Sequence, residues 1–182
     1  MGPMKFEPTD IAGLTVIHYQ PFADARGGFV KTIHRESFEQ EGLEWQFAES
    51  YFSISARDVI RGMHFQVPPH DHDKLVHVVK GSIIDVVLDI RNDAPTYGSW
   101  VATLLNDENR KALYIGKGLA HGFLSLEPDT IVEYHTTTQQ HKACEGGVLW
   151  NSFGYEWPVA APVLSERDKG FAAFSHAQTW FA

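Results

Sequence analysis

The chain has 182 residues, 43% of them hydrophobic, enough to bury one substantial core, and it reads as a single domain over 4–182. A formal net charge of -8 leaves no basic face of the kind a nucleic-acid partner requires, so none is expected. The single cysteine, Cys144, excludes an intrachain disulfide, no apolar run reaches the length of a membrane span, and no secretion signal opens the chain; a cytoplasmic location away from membranes is expected.

Met1-Gly2-Pro3 ahead of Met4 reads as a cloning remnant and is set aside. Along the rest, short runs rich in Val, Ile, Phe and Tyr recur between turn signals, the pattern of an all-β sandwich or barrel. A helical turn or two is expected over 35–41. Strands are expected over 75–79, 83–90, 99–104, 111–115, 123–126 and 130–137, separated by Asp, Asn, Gly and Pro clusters. In the clearest of them, Ile84, Val86, Leu88 and Ile90 share one face, while Ile83, Asp85, Val87 and Asp89 share the other. Two acids on that second face imply water or a polar pocket. A last short helix is expected after Ser165, with Asp168 three residues on in a capping arrangement.

Reactive side chains concentrate in Arg61-Gly62-Met63-His64-Phe65-Gln66, at Lys74, in Gly118-Leu119-Ala120-His121-Gly122-Phe123, in Glu133-Tyr134-His135 and in Leu164-Ser165-Glu166-Arg167-Asp168. Inverting a carbon beside a ketone requires a base, a stabiliser for the enolate oxygen, and an acid on the opposite face. His64, Lys74 and Tyr134 are of the right types for those roles in that order. A carboxylate such as Asp168 would fix the histidine tautomer and stabilise the imidazolium. Such groups suffice without a metal or nucleotide cofactor, and none is expected.

A metal reading competes, because His70-Asp71-His72 has the alternate-residue spacing of paired ligands. Metal-binding cupins follow such a pair with a glutamate, and here Lys74 stands in that gap before Gly81, an ammonium that repels a divalent cation. A second motif does keep Gly118 and His121. The plainer account puts His70 and His72 in a solvated loop after Pro68-Pro69, able to bind metal only adventitiously.

Taken together the ordered segments resemble the cupin-fold nucleotide-sugar epimerases, the dTDP-4-dehydrorhamnose 3,5-epimerase family. They are Asp24-Ala25-Arg26-Gly27, Ile60-Arg61-Gly62-Met63-His64-Phe65-Gln66, Lys74-Leu75-Val76, Asp85-Val86-Val87-Leu88-Asp89-Ile90-Arg91, Pro95-Thr96-Tyr97-Gly98, Ala120-His121-Gly122-Phe123, Glu156-Trp157-Pro158 and Leu164-Ser165-Glu166-Arg167-Asp168. The resemblance spans about 6–169. It implies a cupin jelly-roll β-barrel with a few short helices, forming a homodimer. It also implies an isomerase that inverts C3, C5 or both of a nucleoside-diphosphate 4-keto-6-deoxyhexose in deoxysugar biosynthesis. His64 matches the family base, Asp168 its partner, Lys74 the enolate-stabilising lysine and Tyr134 the acid. Arg61, His121 and Arg167 match positions that hold the sugar or diphosphate, and Arg26 and Glu145 further substrate contacts.

The chain departs from the family at Lys31, at Glu49-Ser50-Tyr51 and at Gln139-Gln140, positions that in the family tend to lie near the nucleobase, so the resemblance leaves the base open. Three alternatives remain: a 3,4-ketoisomerase on the same substrates, where shorter chains are usual and the Ser165–Asp168 motif fits poorly; a metal-dependent cupin oxygenase; and a sugar-binding module without catalysis.

Overall fold

A computed structural model describes residues 4–176 and 178–181; Met1-Gly2-Pro3, read as a remnant, lie outside them. The strands are β1 (Met4–Pro8), β2 (Leu14–Tyr19), β3 (Phe22–Asp24), β4 (Gly27–Phe29), β5 (Glu49–Ser55), β6 (Ile60–Gln66), β7 (Lys74–Lys80), β8 (Ser82–Asp89), β9 (Trp100–Asn106), β10 (Lys111–Ile115), β11 (Leu119–Ser125), β12 (Thr130–Thr136) and β13 (Glu145–Gly147). Helix α1 (Arg35–Gln40) and helix α2 (Glu166–Lys169) coincide with the two short helices expected. The strands form an antiparallel six-stranded sheet in the order β1-β2-β10-β7-β12-β5, a five-stranded sheet in the order β13-β6-β11-β8-β9, and a separate β3-β4 hairpin. Two sheets packed face to face with non-sequential strand order make the jelly-roll cupin barrel.

The sheets meet through Leu14, Val76, Val78, Ile83, Val87, Leu105, Leu113, Phe123 and Val132, all buried and alternating along their strands as a two-sheet core requires. Alternation along β8 turns its acid-bearing face into the barrel, the polar-pocket alternative of the two expected. The side carrying Ile83 and Val87 is the interior one, and its acids are fully buried rather than wet: Asp85 pairs with His121, and Asp89 pairs with Arg91 and accepts from Thr96 Oγ1 at 2.6 Å. The apolar side, Ile84, Val86, Leu88 and Ile90, faces away from the partner sheet and lies under Phe153, Trp157, Trp180 and Phe181. Removing acids from water is tolerated only because each has a charged or hydrogen-bonded partner.

On the far side of the six-stranded sheet, Ile17, Leu75, Ala112 and Tyr114 pack under Phe38 of α1. β6 and β11 approach unusually closely at Gly62 and Gly122. A Cβ on Gly62, whose φ is +134°, would fall 2.5 Å from the Gly122 Cα. That approach makes His64 and His121 cross-strand neighbours. No helix among the described residues is long and apolar enough to cross a membrane.

Candidate active site

Inward-facing side chains of both sheets border a cavity of about 450 Å³, a volume suited to a small organic ligand. The five-stranded sheet contributes Arg61, His64, Gln66 and His121, the six-stranded sheet Tyr51, Ser53, Lys74 and Tyr134, and Glu145 and Arg167 close the rim. His64 on β6 and Tyr134 on β12 therefore approach the same space from opposing sheets.

Asp168 reaches His64 from α2, which is set by a local signal in the sequence: Ser165 caps the helix by accepting the Asp168 N–H at 3.0 Å. Asp168 Oδ1 lies 2.8 Å from His64 Nε2, and its Oδ2 accepts the Gly62 N–H at 3.1 Å. Burial alone would raise this carboxyl, but the hydrogen bond and charge of His64, with the Gly62 and Ser165 contacts, hold it below the usual carboxylate range. An ionised Asp168 takes the Nε2–H, leaving Nδ1 as the basic nitrogen. Phe171 meets the imidazole edge-on at 5.8 Å and is itself covered by the Arg167 guanidinium at 5.5 Å, which fixes the ring.

A second histidine–carboxylate pair sits behind the first. His121 Nε2 is 2.7 Å from Asp85 Oδ2, both buried. Burial pushes this imidazole below the ordinary histidine value, Asp85 opposes the shift, and the neighbouring Lys74 and His64 add to it. Lys74 is buried, which lowers its ammonium to about 8 against the counter-pull of Asp85. Tyr134 is raised far above the ordinary phenol value, chiefly by burial, so it stays a proton donor; its hydroxyl is 3.2 Å from Ser53 Oγ. Tyr51 stacks on Tyr134 with ring centroids 4.8 Å apart.

The remaining sequence candidates divide. Arg61 lines the cavity while donating to Ser55 Oγ and the Ile54 carbonyl, and Arg167 pairs with Glu145 at 2.9 Å. Arg26 does not line its own chain's cavity: it pairs with Asp24 at the tip of the β3-β4 hairpin, its side chain 89% exposed. Of the departures from the family pattern, Glu49, Tyr51 and Gln140 line the cavity, whereas Lys31, Ser50 and Gln139 do not.

The solvated-loop reading requires correction for His72, whereas His70 stays in the loop, half-buried and stacked on His141. His72 turns inward, borders the cavity and meets Gln66 Nε2 at 3.1 Å; burial and the charges of Lys74 and Lys117 push it down to about 3. Ser53 and Phe171, and Asp85 as the partner of His121, were not singled out from the sequence as working parts. The signal for Ser53 and Asp85 was only the inward phase of their strands, and Phe171 lies outside any strand. As for a metal, the donor groups close enough to share an ion among the described residues are His70–His141–Cys144 and His77–Glu133–His135, and neither borders this cavity.

The family description for dTDP-4-dehydrorhamnose 3,5-epimerase matches residues 8–176. A protein of that name from Methanothermobacter thermautotrophicus is 36% identical over 94% of this chain and 95% of its own length. A dTDP-4-dehydrorhamnose 3-epimerase from Streptomyces niveus is 35% identical over 96% of this chain and 86% of its own. Among solved structures, a dTDP-4-dehydrorhamnose 3,5-epimerase from Bacillus anthracis with TDP and pyrophosphate bound superposes with a TM-score of 0.91 at 35% identity, covering 94% of this chain and 99% of that one.

Proposed function

The chain belongs to the dTDP-4-dehydrorhamnose 3,5-epimerase family, and on that premise we propose that it inverts C3, C5 or both of a nucleoside-diphosphate 4-keto-6-deoxyhexose, with His64 as base and Tyr134 as acid. The observation that carries this reading is the pair of proton-transfer groups on facing sheets. Inversion needs removal of a proton from one side of a planar enolate and delivery to the other, and His64 and Tyr134 flank one cavity.

Asp168 keeps His64 in the tautomer that accepts a proton and stabilises the imidazolium. Lys74 supplies positive charge to the developing enolate oxygen in a site where burial strengthens the interaction. Arg61 and Arg167 suit a diphosphate by their charge and planar donors, consistent with the TDP and pyrophosphate in the Bacillus anthracis relative. The substrate ends at the oxidation level at which it begins, so no redox cofactor enters the scheme.

The active unit in this proposal is a homodimer in the cytoplasm. The β3-β4 hairpin exposes Phe22 and Phe29 beside Arg26, and the outer face of the six-stranded sheet exposes Phe52, Ile54 and Val79. Apolar side chains exposed in such numbers favour burial against a second copy. An Arg26 carried on a projecting hairpin then meets the partner's cavity rather than its own.

The test is proton NMR of dTDP-4-keto-6-deoxyglucose, with its cytidine counterpart alongside, incubated with the protein in heavy water. Deuterium entering at C3, C5 or both with matching inversion is the expected result, and the faster substrate identifies the base. Migration of the carbonyl without inversion would replace the epimerase reading with ketoisomerisation, and no exchange with either substrate would overturn it.

A further inference from the structure

On the outer faces of β7 and β12, behind the cavity, lies a second group of titratable side chains that the proposed chemistry does not use. Glu133 and His135 are two residues apart on β12 and so share its outer face, and His77 on β7 is the cross-strand partner of Glu133. One ligand-type atom from each lies within 4.8 Å of the others. His77 Nε2 is 3.2 Å from Glu133 Oε2, and His135 Nε2 is 3.8 Å from Glu133 Oε1. Donors bound to one tetrahedral zinc-type ion stand roughly 3.4 Å apart, given metal–ligand distances of about 2.0–2.2 Å, and the two observed spacings bracket that value.

The cluster is also unsatisfied. His77 Nδ1 and His135 Nε2 are buried without a hydrogen-bond partner, and so is the hydroxyl of Tyr19, whose ring meets His77 edge-on at 5.8 Å. Buried polar atoms are normally paired, and His135 Nε2, unpaired 3.8 Å from the Glu133 carboxylate that His77 Nε2 also meets, is open to one more partner. The Glu133 side chain keeps 35% of its surface exposed in the single chain.

We propose that His77, Glu133 and His135 bind a divalent transition-metal ion of the zinc class, clamping β7 to β12. Two imidazoles and one carboxylate are a donor set suited to such an ion, with the remaining coordination left to water. The ion sits on the side of the sheet opposite Tyr134, which lies between Glu133 and His135 in sequence and faces inward, so it stiffens the strand of the proton donor without touching substrate. The other cluster is poorly arranged for the same task. The His70 and His141 rings stack face to face at 3.9 Å and 4°, so their in-plane lone pairs run parallel instead of converging.

The experiment is a titration of the chelator-treated full-length protein with Co2+, followed by visible absorption and binding heat, then displacement by Zn2+. Expected is one saturable equivalent with a nitrogen-and-oxygen spectrum lacking a thiolate charge-transfer band, unchanged in Cys144→Ser. Binding should weaken at least ~100-fold in both His135→Ala and Glu133→Gln, beyond the usual loss from outer-shell changes. Glu133→Gln preserves side-chain shape and guards against a folding artefact in the alanine variant, with circular dichroism as the check. Zn2+ should raise the melting temperature of the wild type but not of Glu133→Gln. Absence of saturable binding, or binding that survives both substitutions but is lost in Cys144→Ser, overturns the proposal.

Discussion

His64 and His121 stand side by side across β6 and β11, each held by an aspartate, and exposure separates their roles: the His64 side chain is 35% accessible and His121 only 4%. A base must meet a carbon-bound proton, which His64 can do; His121 is better placed to donate to a substrate oxygen. His64→Ala is expected to slow deuterium exchange about 100- to 10,000-fold, while Tyr134→Phe should leave exchange running and suppress inversion. Equal loss of both activities in Tyr134→Phe would remove it from the acid role. Lys74 adds a pH signature. Its ammonium is the useful form, and burial lowers it to about 8, so the charge is present below that value and lost above it. kcat/KM should therefore decline as pH rises through about 8, and Lys74→Met should lower the rate roughly 100- to 1,000-fold and abolish the decline. A limb that persists unchanged in Lys74→Met assigns it to another group.

The short helix α2 shows how a small element serves the site. It is four residues long, and Ser165 holds its first turn while Asp168 reaches across to His64 and Gly62. Ser165→Ala is expected to cost about 1 kcal/mol of stability, read as a small fall in melting temperature. It should also slow exchange by loosening Asp168, and an unaffected exchange rate would mean that the fold positions Asp168 without the cap. This element was legible in the sequence because capping is local chemistry: a serine accepting an N–H three residues on leaves a recognisable spacing. β7, β8, β10 and β12 were legible for a similar reason, since Val, Ile and Tyr alternate within them. β6 and the first half of β11 were not, because Arg61-Gly62-Met63-His64 and Leu119-Ala120-His121-Gly122 carry glycines and histidines where β-branched residues would mark a strand. The strands that carry His64 and His121 are thus hidden by their composition, whereas those that carry Lys74 and Tyr134 are not. The four residues proposed for catalysis were recognisable through the family pattern, whereas the place of Ser53 in the cavity depends on the β5–β12 pairing, which no local signal encodes.

At the scale of the whole molecule, Arg26 is the residue that bears most directly on the proposed homodimer. It extends on a hairpin away from its own cavity, beside exposed Phe22 and Phe29, yet it belongs to a segment shared with the family. If the hairpin of one protomer completes the cavity of the other, lesions in the two must complement. Arg26→Ala alone should raise KM, and His64→Ala alone should abolish turnover. In a mixed dimer, one cavity then carries both lesions, while the other combines an intact His64 with the intact Arg26 of its partner. Random reassortment of equal amounts puts half the protomers pairs in mixed dimers with one intact cavity each, so activity should return to about a quarter of the wild-type level. Were Arg26 to act within its own chain, every cavity in the mixture would carry one lesion, and with substrate well below the raised KM activity would stay at the low level of unmixed Arg26→Ala. Size-exclusion chromatography with light scattering establishes that dimers are present, and the reassortment assay decides which protomer's arginine each cavity uses.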